Sequence, residues 1–123
     1  MIFVKDLHCM AAFYGGTMRL KPIDDSRTDS WVEFDAGGIR LALHAIPSHI
    51  AENIEITQPP RAREDNPLKL IFVVDDLEAR ISSLEAKGVK IIRQPWGACD
   101  VIDPEGNIFQ ICCSTKSNEP ASK

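Results

Sequence analysis

The feature that most limits what this chain can fold into is an internal repeat, because a duplicated unit must carry a complete set of elements in each copy. Phe3-Val4-Lys5-Asp6-Leu7 recurs as Val73-Val74-Asp75-Asp76-Leu77 at an offset of 70. Later in each half, Asp35-Ala36-Gly37-Gly38 recurs as Asp103-Pro104-Glu105-Gly106 at an offset of 68. Two anchors at nearly one spacing imply a repeated unit about half the chain long.

Each half opens on a strand that runs into a capped helix. In the second half, Asp75 and Glu78 stand at capping-box spacing, and Leu77, Ile81 and Leu84 form an apolar stripe. Gly88 sits where a left-handed C-terminal cap belongs. In the first half, Asp6 caps a helix whose stripe is Leu7, Met10, Ala11 and Tyr14, ended by Gly15-Gly16. β-rich segments follow at residues 18–22, 30–34 and 39–45, then at 89–93, 98–102 and 108–113. The expected fold is α+β, with β-α-β-β-β order twice. A polar, proline-marked stretch with Gln58-Pro59-Pro60 and Asn66-Pro67 reads as the connection between halves. We therefore expect one domain over residues 1–113: a first module at about 1–46, a linker at about 47–67 and a second module at about 68–113. Residues 114–123 have little to bury and are expected to form a disordered tail.

At 123 residues, 44% of them hydrophobic, the chain can bury a core without disulfides or a structural metal. The net charge of −4 and the lack of a Lys/Arg cluster with aromatics argue against nucleic acid or an anionic membrane as partner. No apolar run approaches the ~20 residues of a spanning helix. The N-terminus lacks the pattern of a secretory signal, so a cytoplasmic protein is expected. Cys9, Cys99, Cys112 and Cys113 have no Cys-x-x-Cys spacing and read as small buried hydrophobes.

Several of these residues together resemble the vicinal oxygen chelate superfamily, which includes glyoxalase I, extradiol dioxygenases, and fosfomycin- and bleomycin-resistance proteins. The markers are Val4-x-Asp6-Leu7 leading to Phe13-Tyr14, the repeated Val74-x-Asp76-Leu77, Pro95-Trp96-Gly97, and Asp103-Pro104-Glu105-Gly106-Asn107 before a final strand. The resemblance spans Phe3 to about Cys113. It implies tandem βαβββ modules that form a curved mixed sheet around a pocket, with helices on the outer face. It also implies a homodimer and a small organic molecule as partner. It does not fix the chemistry, because one fold hosts several activities.

In the metal-dependent relatives, ligands sit in the first and last strands of each half, where His, Glu or Asp converge on a divalent ion. The resemblance maps these slots onto Gln110, its first-half counterpart Ala42, Lys69, and a position upstream of Met1; an opening strand of only about four residues, where about six is usual, leaves an earlier native start open. An amide, a methyl group and an ammonium are poor replacements for anionic ligands. Strand alternation puts Arg40, Ala42 and His44 on one face and Ile39, Leu41 and Leu43 on the other, the latter packing on the helices. By the same alternation, Gln110, Lys69, Ile71 and Val73 face the pocket.

His44 has two readings, as a metal ligand with Gln110 or as a pocket-wall histidine, exposed if it lies past the strand end. Lys69 either pairs with an anionic ligand or acts as a base if desolvated, or is a surface lysine at a strand start. Glu33 shares its face with Trp31 and lines the cavity or meets water. Trp96 stacks on a flat ligand or packs in its turn. His8 and His49 read as solvated, in a first helical turn and a loop. The candidate pocket is thus Arg40, His44, Lys69, Gln110, Glu33 and Trp96, with His44 and Gln110 as the metal candidates. The expected function is small-molecule binding with a degenerate metal site and no cofactor. The alternative is a lyase, isomerase or dioxygenase using Ni, Zn, Fe or Mn.

Overall fold

The computed structural model describes residues 1–113, so the tail expected at 114–123 lies outside the described residues. The chain divides into two compact units, Met1–Arg61 and Ala62–Lys123.

Unit 1 begins with the apolar strand β1 (Ile2–Val4), which meets Asp6 and turns into the helix α1 (Leu7–Ala12). The Asp6 carboxylate accepts the Cys9 N–H at 3.0 Å, satisfying one of the unpaired donors of the first turn. The helix does not end at the glycine pair as expected. It widens into a π-helical turn (Phe13–Thr17), in which the Met18 N–H reaches the Phe13 carbonyl at 2.8 Å. Gly15 is needed there, because a Cβ on it would stand 2.9 Å from the Phe34 ring. This turn and a left-handed Arg19 (φ 62°) use up the residues expected to start the next strand. β2 therefore runs over Lys21–Ile23 rather than 18–22. β3 (Trp31–Asp35) and β4 (Arg40–Ala45) complete a sheet of order β1-β4-β3-β2, with β1 parallel to β4 and the other pairs antiparallel. Val32, Phe34, Leu41 and Leu43 alternate onto the helix side and are buried with Met10, Phe13 and Tyr14. Each such side chain contributes roughly 1.5–3 kcal/mol.

The polar stretch after β4 is not structureless. It holds the short helix α2 (Ser48–Ala51), which carries His49, the residue expected in a loop.

Unit 2 repeats the order: β5 (Ile71–Val74), α3 (Leu77–Ala86), β6 (Ile91–Arg93), β7 (Cys99–Ile102) and β8 (Ile108–Cys113). The sheet order is β5-β8-β7-β6, with β5 parallel to β8. The helix cap is Asp76, not Asp75: its carboxylate accepts the Ala79 N–H at 3.1 Å. Asp76 is the repeat equivalent of Asp6, one residue ahead of its helix. Glu78 consequently has no capping-box role and makes a two-bond pair with Arg93, at 3.1 Å each, which holds the Glu78 carboxyl below its usual range. Gly88 (φ 79°) closes the helix while the Val89 N–H returns to the Leu84 carbonyl at 3.1 Å. Ile81 and Leu84 from α3, with Val101, Phe109 and Ile111 from the sheet, form the buried side.

The Asp103-Pro104-Glu105-Gly106-Asn107 segment is a structural turn. The fully buried Asp103 carboxylate accepts from the Glu105 and Asn107 N–H groups and from the Asn107 amide, each at 2.9 Å. Gly106 takes φ 88°, a conformation glycine adopts without penalty. The first-half turn is simpler: among the described residues, Asp35 accepts the Gly37 N–H, at 2.9 Å, and no further turn N–H.

Among the cysteines, Cys99 and Cys112 are buried as expected, but Cys9 is exposed on α1 and Cys113 half-buried. Burial pushes the Cys99 thiol up from its ordinary value, which disfavours the reactive thiolate. No helix among the described residues is long and apolar enough to cross a membrane.

Candidate functional site

In each unit one sheet face packs on its helix, and the other carries the polar residues singled out from the sequence. In unit 1 the helix-free face runs across three strands. Phe3 pairs with His44, and His44 with Trp31, so three rings line up across β1, β4 and β3. The His44 ring centroid lies 5.5 Å from that of Phe3 and 5.6 Å from that of Trp31. His44 therefore lies within the strand, half-buried, not beyond its end. Next to it, the Trp31 indole N–H donates to Glu33 at 2.9 Å, and Arg40 donates to the other Glu33 oxygen at 3.3 Å. The Trp31 hydrogen bond, helped by Ser26 and Arg40 and opposed by burial, holds the Glu33 carboxyl below its usual range. Glu33 is thus a fixed anion on an aromatic wall. Arg40 is largely exposed.

In unit 2 the same face is organised by Asp100, a residue the sequence reading did not single out. Asp100 stands opposite Gln110 in the register, and Ile71 stands opposite Gln110 on its other side. Lys69 lies two residues before Ile71, the first residue of β5. Its ammonium donates to both Asp100 oxygens at 3.2 Å. Gln94 donates at 2.9 Å and Gln110 at 3.4 Å. Lys69 is thereby an ion-paired residue, not a free surface lysine. Trp96 is half-buried in the turn between β6 and β7, where the Gly97 N–H bonds the Gln94 carbonyl at 3.1 Å.

Sequence reasoning missed Phe3, Trp31, Gln94 and Asp100 as site residues. Strand parity was available for Trp31. The others needed cross-strand register, which parity within one strand does not give.

The donor chemistry does not fit the divalent ion that the family resemblance brings to mind. Ala42 has no donor atom, Lys69 is a cation, and the Gln110 amide is engaged as a hydrogen-bond donor to Asp100. Among the described residues, no three His, Cys, Asp or Glu side chains converge as ligands.

A separate recess of about 320 Å³ opens on the helix side of unit 1, lined by His8, Ala11, Gly15, Gly16, Arg27 and Phe34 among others. His8 is exposed at its rim, and none of the sequence-derived site residues line it.

Two βαβββ units, each with a carboxylate-centred polar cluster on the face its helix leaves bare, define a protein of the vicinal oxygen chelate fold. Within that class, the chain belongs to the glyoxalase-like domain family, whose model matches residues 1–116. A glyoxalase/bleomycin resistance/dioxygenase family enzyme from Burkholderia phytofirmans PsJN superposes with a TM-score of 0.68 at 24% identity, over 91% of this chain and 93% of its own. Lactoylglutathione lyase from Agrobacterium tumefaciens gives 0.61 at 22% identity, over 92% and 89%. TnmS3, an antibiotic-binding protein from Streptomyces sp. CB03234, gives 0.58 at 22% identity, over 91% of each chain. No curated protein matches the sequence.

Proposed function

We propose that this chain binds a small organic molecule on the helix-free sheet faces, without a resident divalent metal. The observation that carries the reading is the bonding at Lys69 and Gln110: both donate to Asp100 instead of offering lone pairs to an ion. Phe3, His44 and Trp31 supply a wall of tilted rings, with His44 at 38° to Phe3 and 65° to Trp31, and Glu33 with Arg40 supplies charge beside it. Ring faces and edges of this kind favour planar ligands. That one structural neighbour is an antibiotic-binding protein accords with binding as a use of the fold. That another is a lyase keeps fold likeness from deciding the chemistry.

The test has two parts. Protein purified without chelator or histidine tag is expected to be free of Ni, Zn, Fe and Mn by elemental analysis. A screen of planar organic ligands, read by Trp31 fluorescence in a Trp96→Phe background, is expected to give saturable binding that weakens in His44→Ala and Glu33→Gln. Near-stoichiometric metal that is lost on His44→Ala would instead establish the metal-dependent lyase, isomerase or dioxygenase. The reading includes a homodimer, by likeness to the family, which analytical ultracentrifugation checks.

A further inference from the structure

Asp100 is a carboxylate only 10% exposed, and the group that neutralises it is a lysine that stays 44% exposed. We infer that Lys69 is the built-in cation of the unit 2 sheet face, and that its remaining N–H receives an anionic oxygen of the ligand, a carboxylate. This rests on the small-molecule reading above and names the ligand chemistry for it.

A buried carboxylate without a counter-charge is costly, so Asp100 needs a cation. Lys69 supplies it symmetrically, at 3.2 Å from each oxygen, while Gln110 donates from β8 and Gln94 from just past the end of β6. Three donor groups converge on one acceptor. An ammonium has three N–H donors and Asp100 takes two, leaving one for a ligand. Around it, Ile71, Val73 and Ile92 are exposed apolar side chains, and register places all three on the same face as Asp100 and Gln110. An apolar body bearing one anionic oxygen matches that surround. The role is electrostatic, as a metal's would be, yet the charge is covalently part of the chain.

A second consequence makes the inference testable without any organic ligand. If Lys69 is the internal cation, removing it leaves Asp100 flanked by two carboxamides, and turning each amide about its last bond presents an oxygen. A carboxylate and carbonyl oxygens suit hard ions such as Mn²⁺. Mn²⁺ alone is titrated calorimetrically into wild type, Lys69→Met and Lys69→Met/Asp100→Asn. With the ammonium's repulsion gone, Lys69→Met is expected to bind at least about tenfold more tightly than wild type, and the double variant not to share the gain. Equal Mn²⁺ binding by wild type and Lys69→Met overturns the inference.

The second arm uses benzoate and its neutral analogue benzamide as probes, followed by amide NMR shifts. The double variant carries no uncompensated charge, so it serves even where Lys69→Met does not fold. Benzoate binding is expected to weaken at least about tenfold in the double variant and to survive in Lys69→Arg, while benzamide distinguishes neither. Benzoate that binds the double variant as it binds wild type, or does not bind wild type, overturns the anion-receiving role. The two claims fail separately: planar ligands that bind independently of Lys69 leave the small-molecule reading standing. A screen that finds no ligand removes that reading, and the Mn²⁺ arm still judges the built-in cation.

Discussion

The helix-free faces of the two units share one strand order and register, yet carry opposite chemistries. In unit 1, β3 places Glu33 opposite Ala42. In unit 2, β7 places Asp100 opposite Gln110, the repeat equivalent of Ala42. A methyl group at position 42 cannot reach the carboxylate, so Glu33 bonds along its own strand to Trp31 and across to Arg40. The amide at position 110 does reach it, and Asp100 gathers Gln110, Gln94 and Lys69. The result is an aromatic wall with a fixed anion in one unit and a pinned ammonium in the other. Duplication preserved the frame, and single side chains at equivalent positions diverged in function.

Four measurements sharpen or break this comparison. The largest effects belong to the shared frame. Leu43 and Ile111 are repeat equivalents, both fully buried, and Leu43→Ala and Ile111→Ala are each expected to cost about 2–5 kcal/mol by chemical denaturation. Losses that differ widely between the two would show that the frames are not energetically equivalent.

The turns before the last strands come next. Asp103→Ala removes a buried carboxylate with three hydrogen bonds and is expected to cost about 2–3 kcal/mol. Asp35→Ala removes one exposed bond and should cost no more than about 1 kcal/mol in the same assay. Equal costs would mean that the extra bonds of the second turn contribute nothing net.

At the helix ends, Gly15→Ala drives a Cβ to 2.9 Å from the Phe34 ring, an overpacking cost of about 1–3 kcal/mol. Gly88→Ala meets open space but keeps φ 79°, a conformational cost of about 1 kcal/mol. Large-to-small relief separates the two: Phe34→Leu should recover stability in the Gly15→Ala background and none in the Gly88→Ala background.

The smallest effect is the pH dependence that Glu33 contributes in unit 1, beside the one that Glu78 contributes in unit 2. The Trp31 hydrogen bond, foremost among several, lowers the Glu33 carboxyl below 4.5 in the folded state. The stabilisation is therefore complete above the ordinary carboxylate range and is lost as pH falls through the lowered folded value. Glu33→Gln should flatten the acid limb of a thermal-stability profile, and Trp31→Phe should move it upward in pH. Superimposable acid limbs in wild type and Glu33→Gln would remove Glu33 from the account.

Much of the frame was legible because it depends on local chemistry. The repeat, Asp6 as a cap, Gly88 as a helix stop and the strand alternation around Leu41 and Leu43 are short-range patterns, and the structure contains them. The departures are also local but were decided by tertiary fit. The π turn exists where Gly15 closes on Phe34, and that displaced β2. The cap fell on Asp76 because the helix starts at Leu77, which released Glu78 to pair with Arg93. Cys9 is apolar by composition yet exposed, because α1 turns that side outward.

The candidate site was half legible. Glu33, Arg40, His44, Lys69 and Gln110 were reached by parity within single strands. Trp31 was within reach of that parity beside Glu33, but Phe3, Gln94 and Asp100 were not, because they join the site only through pairing between separate segments. What the sequence determined by itself is the duplicated β-α-β-β-β order and the side of each strand on which a residue stands, since both follow from periodicity and capping. What only the tertiary structure decided is who bonds to whom: that Lys69 meets Asp100 and that His44 stands between two rings. Pairing across strands depends on register, and register is set by the packing of the whole sheet.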